Sequence, residues 1–134
     1  MQLERVTPDN FSELWPQIKP MLESACERSR GRFSVDTSVS LMARGLWQFW
    51  VGRNDETVVV FAATEIITFP TGLMVGNIII TTGRNRRVWK HLIDDLAVWF
   101  REQGCAEQQT LARKGWAKEL PAFTLTHVLL ERAI

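Results

Sequence analysis

Two long apolar runs stand almost back to back in this chain. The first is TVVVFAATEIITF, residues 57–69, and the second is LMVGNIIITTG, residues 73–83, with only PTG between them. A strand with one wet face alternates apolar and polar residues. A strand that is apolar at nearly every position is buried on both faces, so its sheet must carry helices on each side. PTG reads as the turn that joins the two strands. Gly76, inside the second run, predicts a bulge or a close backbone approach.

The flanking sequence supplies the covering helices. Trp89, Leu92, Ile93, Leu96 and Phe100 share one helical face, which predicts a helix over residues 88–103 ended by Gly104. Phe11, Leu14, Trp15, Ile18, Leu22 and Ala25 do the same after the capping stretch TPDN. Pro16 and Pro20 interrupt that second pattern and predict a kinked or split helix. A further helix is expected from about Val35 to Arg44, with Gly45 as its stop. MQLERV, LWQFWVGR, CAEQQTLA and FTLTHVLLERAI read as strands, and KGWAKEL as a short helix. The expected order is β-α-α-β-β-β-α-β-α-β, an α/β (α+β) chain whose mixed, mostly antiparallel sheet has six or seven strands and helices on both faces. Residues 1–134 are expected to form one domain.

Bulk properties narrow the function classes. A formal net charge of +1 gives no general attraction to nucleic acid, so a nucleic-acid partner is not expected. The longest apolar runs fall short of the roughly 18 residues that span a bilayer, and the start is short and polar, unlike a signal peptide. Cys26 and Cys105 do not make a disulfide framework and read as reduced thiols of a cytosolic protein. His91 and His127 lack partners at metal-ligand spacing, so no metal is expected. Asp94 and Asp95 are adjacent on a helix and point apart, which excludes a carboxylate dyad.

The residues with chemical potential cluster around one turn. Ile80 and Thr81 lead into Arg84, Arg86, Arg87 and Val88, where a strand meets a helix N-terminus. Such a turn can cradle a phosphate on backbone amides, dock an acidic surface, or simply be basic and solvated. Glu65, alone among apolar neighbours, is a candidate general base, or a carboxylate that faces solvent or pairs with a nearby arginine. Trp47 and Phe49 fall on one strand face and Trp50 on the other, serving either the core or a partner surface. Trp116 is expected to cap the core while Arg113, Lys114 and Lys118 stay in water.

The element order resembles the GNAT (Gcn5-related N-acetyltransferase) acyltransferase fold. ELWPQIKPMLESA, GLWQFWV, GRNRRVW and ARKGWAKELPAF look like the pattern of small GNAT-like proteins encoded by tailed bacteriophages. In that fold a bulged strand splays from its neighbour, the acyl-CoA arm lies in the gap, and the pyrophosphate sits where the next helix begins. The resemblance places the bulge at Gly76 and aligns Arg84 with the first position of Q/R-x-x-G-x-G/A. Arg87 and Trp89 then occupy the two small-residue positions, and the chain has no tyrosine to protonate a leaving thiolate. These departures imply a catalytically silent GNAT-fold component of a phage particle or its assembly, binding no cofactor. Its partners would be other phage proteins or a second copy of itself, in the bacterial cytoplasm and the virion. Arg84, Arg86, Arg87, Trp47, Trp50, Arg113 and Trp116 would form the contact surface. The alternatives are an acetyl-CoA-dependent N-acetyltransferase, with Glu65 as base and the basic turn on the cofactor, and a small nucleic-acid-binding protein.

Overall fold

The computed structural model describes residues 2–83, 86–112 and 116–134. Its elements are β1 (Leu3–Arg5), α1 (Phe11–Arg28), α2 (Val35–Ala43), β2 (Trp47–Asn54), β3 (Thr57–Thr68), β4 (Met74–Gly83), α3 (Arg86–Glu102), β5 (Glu107–Thr110) and α4 (Trp116–Glu119). The five strands form one sheet in sequence order, antiparallel from β1 to β4, with β5 parallel to β4. Six or seven strands were expected. The difference lies in FTLTHVLLERAI, which alternates like a strand but joins no strand pair among the described residues, and residues 124–134 carry no regular structure.

The apolar runs become β3 and β4 and are covered on both faces, as their composition requires. Trp47, Phe49, Phe61, Ala63 and Ile80 pack with Leu14, Ile18 and Leu22 of α1. Trp50, Val60, Ala62 and Ile78 pack with Trp89, Leu92, Ile93, Leu96 and Phe100 of α3. The five α3 residues are at most 5% exposed, so the helical spacing identified the buried face correctly. Each large apolar side chain taken from water in this way contributes about 1.5–3 kcal/mol. Arg5 joins β1 to this packing, with its guanidinium 5.2 Å from the ring centroids of both Trp50 and Trp99.

Three local expectations change. Helix α1 runs unbroken through Pro16 and Pro20. Both prolines lie on its exposed side, opposite Leu14, Ile18 and Leu22, so the carbonyls they leave unpaired face water. The bulge of β4 is at Ile79, not Gly76: Ala63 pairs with Ile80 and Thr64 with Ile78, leaving Ile79 as the extra residue. It reverses the alternation, sending Ile78 to the α3 side and Ile80 to the α1 side. Gly76 is instead a site of close approach. A Cβ there would lie 2.3 Å from the Phe100 ring, so the aromatic ring rests directly on the strand backbone.

Candidate functional site: the opening between β4 and β5

Strand β5 is four residues long, and its pairing with β4 runs from Val75–Glu107 to Ile78–Thr110. At the last pair the Thr110 hydroxyl donates to the Ile78 carbonyl, 3.0 Å away, and closes the ladder. Strand β4 continues to Gly83, so its outer edge from the Ile79 bulge onward has no strand beside it among the described residues. A cleft of about 390 Å³ opens there, within the range of ligand sites. Trp89, Ile93, Trp116 and Leu120 line it from the α3 and α4 side, and Arg28 from the end of α1. The cleft therefore reaches both faces of the sheet.

A polar row crosses the sheet just before this opening. Trp47 pairs with Glu65, Glu65 with Asn77, and Asn77 with Gln109, so the four side chains share the face that carries α1 and α2. The Trp47 indole Nε1 donates to Glu65 Oε2 at 3.0 Å, and Asn77 Nδ2 donates to Glu65 Oε1 at 3.3 Å. Both carboxylate oxygens thus have a fixed donor, while the group stays half-buried and reachable. On the opposite face Trp50 Nε1 donates to Thr64 Oγ1 at 2.9 Å, and Thr64 donates to Gln48 Oε1 at 2.8 Å. That second chain is buried and satisfies polar groups inside the core.

The candidates drawn from sequence divide accordingly. Thr81 and Trp116 line the opening; Glu65 does not, and reaches toward it only through its pairing with Asn77, the residue before Ile78 of the lining. Ile80 turns its side chain into the α1 core, and Val88 borders a separate groove on the far side of β4. Arg87 is exposed on the first turn of α3. Arg84, Arg113 and the side chain of Arg86 lie outside the described residues. Trp47 and Trp50 are 8% and 5% exposed, so the contact surface expected of them is not at the surface; β2 is an interior strand with a helix layer on each face. Asn77, Gln109 and Arg28 were not singled out. Asn77 left a signal, an amide interrupting an apolar run, but what it faces depends on the register with β3.

The groove beside Val88 is larger, about 820 Å³, and runs between α1 and the β2–β3 hairpin. Among the described residues no titratable side chain lines it. Among the described residues no cluster of three or more His, Cys, Asp or Glu could hold a metal ion. Burial raises the pKa of the Cys105 thiol, which disfavours the nucleophilic thiolate. No described helix is long and apolar enough to cross a membrane.

A bulged fourth strand, a parallel fifth strand that stops short, and a helix starting just after the bulged strand together define one architecture. The chain has the GNAT fold. No protein-family model matches it, and no curated protein sequence does. Solved structures match over nearly the whole chain. An aminoglycoside acetyltransferase from an uncultured soil metagenomic sample aligns over 99% of this chain and 95% of its own, with TM-score 0.73 and 14% identity. A predicted acetyltransferase from Clostridium acetobutylicum, solved with acetyl-CoA, aligns over 98% and 95%, with TM-score 0.68 and 19% identity. A ribosomal-protein-alanine N-acetyltransferase from Brucella melitensis biovar Abortus aligns over 98% and 100%, with TM-score 0.67 and 16% identity. Identities this low establish the GNAT fold alone.

Proposed function

We propose that this protein is an acyl-CoA-dependent N-acyltransferase that takes its amine acceptor on the α1/α2 face. The observation that carries the reading is the opening itself, an unpaired β4 edge, with the Glu65 carboxylate held across β4 by Asn77, the residue before Ile78 of the lining. The β4 edge can accept an extended pantetheine arm as a strand accepts a neighbour. Acetyl-CoA would be held there by the backbone of residues 79–82, with Thr81, Trp89 and Ile93 in the walls. When bound it supplies an activated acyl group.

The chain's own groups do the rest. Trp47 and Asn77 fix the Glu65 carboxylate, which takes the proton from an incoming ammonium and leaves a nucleophilic amine. The two-sided cleft brings amine and thioester together from opposite faces, and proximity supplies much of the acceleration. With no tyrosine in the chain, the departing thiolate would take the proton that the acylated nitrogen gives up, relayed through solvent.

The catalytically silent reading has one observation in its favour. Trp89, at a small-residue position of the signature, is 3% exposed and its indole forms part of the cleft wall. The virion role rests on resemblance alone, and none of the geometry favours it. Calorimetry with acetyl-CoA separates the readings. A dissociation constant of about 1 mM or tighter, near −4 kcal/mol, is expected. Glu65→Gln should bind as tightly and transfer acyl groups to a panel of amines roughly 100-fold more slowly. Absence of binding at that concentration would leave the silent reading.

A further inference from the structure

The end of α1 and the link to α2 carry Arg28, Arg30 and Arg32. Two of these arginines close on one carboxylate. Arg30 Nη2 donates to Glu131 Oε1 and Arg32 Nη2 donates to Glu131 Oε2, so each oxygen has its own guanidinium. Such a pair recognises a carboxylate by shape as well as by charge. The turn that spaces the two arginines is fixed locally. Arg30 and Gly31 both take left-handed backbone, at φ 54° and 82°. The Ser29 hydroxyl donates to the Cys26 carbonyl at 2.7 Å and accepts from Phe33 N–H at 3.4 Å.

The carboxylate in this fork is loosely held. Among the described residues no backbone–backbone hydrogen bond involves residues 124–134. Both ion pairs are solvent-exposed, and exposed pairs contribute little, so a free carboxylate can displace Glu131.

The fork also adjoins the candidate site. Phe33, the residue after Arg32, sets its ring edge-on to Trp47 with centroids 5.8 Å apart, and the Trp47 indole holds Glu65. Arg28, on the other side of the turn, lines the cleft between β4 and β5. Its Nη1 donates to the Ser24 hydroxyl at 2.7 Å, and it makes no ion pair among the described residues. Glu27 and Asp36, the nearest acids in sequence, are exposed and pair with none of the three arginines. The approach to Glu65 from the end of α1 is therefore positive. It repels a polycationic amine and attracts an amine that carries a negative group.

We propose that Arg30 and Arg32 form the carboxylate subsite for the acceptor, a small amine with a carboxylate at its other end, and that Glu131 fills this subsite in the resting chain. The acceptor role rests on the acyltransferase reading; the fork as a carboxylate site does not. The acceptor replaces Glu131 on the two guanidiniums and directs its amine past Phe33 and Trp47 toward Glu65. The segment of residues 124–134 is released as the acceptor enters.

The first test needs no cofactor. In Glu131→Gln, the side-chain Nε–H resonances of Arg30 and Arg32 should shift saturably with β-alanine and not with ethylamine. The wild type should need roughly tenfold more β-alanine, because Glu131 competes. No saturable shift in Glu131→Gln, or the same shift with ethylamine, would overturn the proposal. Equal titration of variant and wild type would overturn the occupancy by Glu131. The second test is acyl transfer to ω-amino carboxylates of increasing length, each against the alkylamine of equal length. At the best length the carboxylate should be preferred roughly tenfold or more in kcat/KM. The Arg30→Gln/Arg32→Gln double variant should bring the two acceptors to the same kcat/KM. Transfer without that preference would overturn the acceptor role and leave the acyltransferase reading standing. A fork that titrates in a chain that binds no acetyl-CoA would remove the acyltransferase reading, and the acceptor role with it, and uphold the carboxylate site alone.

Discussion

The three central strands and the region beyond β4 obey different rules, although both are rich in apolar residues. In β2, β3 and β4 up to Ile78 the apolar side chains have helices on each face and neighbouring strands at each edge, and Phe49, Phe61, Ile78 and Val75 are at most 2% exposed. From β5 onward the composition is similar but pairing is incomplete, and Leu129 and Leu130 stand 58% and 87% exposed. Burial thus follows from which backbone edges are closed, not from hydrophobicity alone. The candidate site sits where the first regime gives way to the second.

The sharpest way to break the contrast is to damage the closed half. Phe100→Ala removes a ring that is 1% exposed and rests on Gly76. It should cost about 3–5 kcal/mol in denaturant unfolding, the lost transfer energy plus a cavity. Leu130→Ala beyond β5 should change the stability by about 0.5 kcal/mol or less. Equal losses at both positions would show that the two regions do not differ.

Gly76→Ala is a subtler probe of the same packing. The added Cβ meets Phe100 ring atoms at 2.3–2.4 Å, closer than packing allows, so ring or strand must shift. Overpacking of this kind should cost about 1–3 kcal/mol. In a Phe100→Leu background the penalty should shrink, because the flat ring is what the new carbon meets. Strict additivity in that double-mutant cycle would mean the two positions do not share the contact.

The contrast also explains what could be read in advance. The α3 face and the opposed directions of Phe49 and Trp50 were legible, because a helix or strand carries its own period. Glu65 stood out as a lone acid in an apolar run. Its setting did not, because Asn77 and Gln109 reach the same row only through the registers of β3 with β4 and β4 with β5. Register is a property of two strands at once. The Ile79 bulge has the same origin: one residue too many against β3, in a run where Ile78, Ile79 and Ile80 look alike. The strand expected at residues 123–134 failed for a related reason, since alternation specifies a competent strand without specifying an edge to meet it.

The smallest expected effect concerns the tether in the open half. Glu131 accepts hydrogen bonds from Arg30 and Arg32, and these, the Arg30 bond first, hold its carboxyl below the ordinary carboxylate range. A carboxyl with a lowered folded-state pKa favours the tethered state at pH above its ordinary value and loses that contribution as pH falls through the lowered one. The tether should therefore be intact at neutral pH and release only under acid, below the usual carboxylate range. Glu131→Gln removes the charge at every pH. Because the pair is solvated and joins a segment with no backbone bonds, the melting temperature should not move measurably. Local order should change. The heteronuclear ¹⁵N relaxation of residues 129–133 should report more motion in Glu131→Gln than in the wild type at neutral pH. The two should converge in acid, where the wild type loses the same charge. Equal mobility at neutral pH would show that Arg30 and Arg32 do not hold the segment, and that residues 124–134 are independent of the body even where an ion pair joins them.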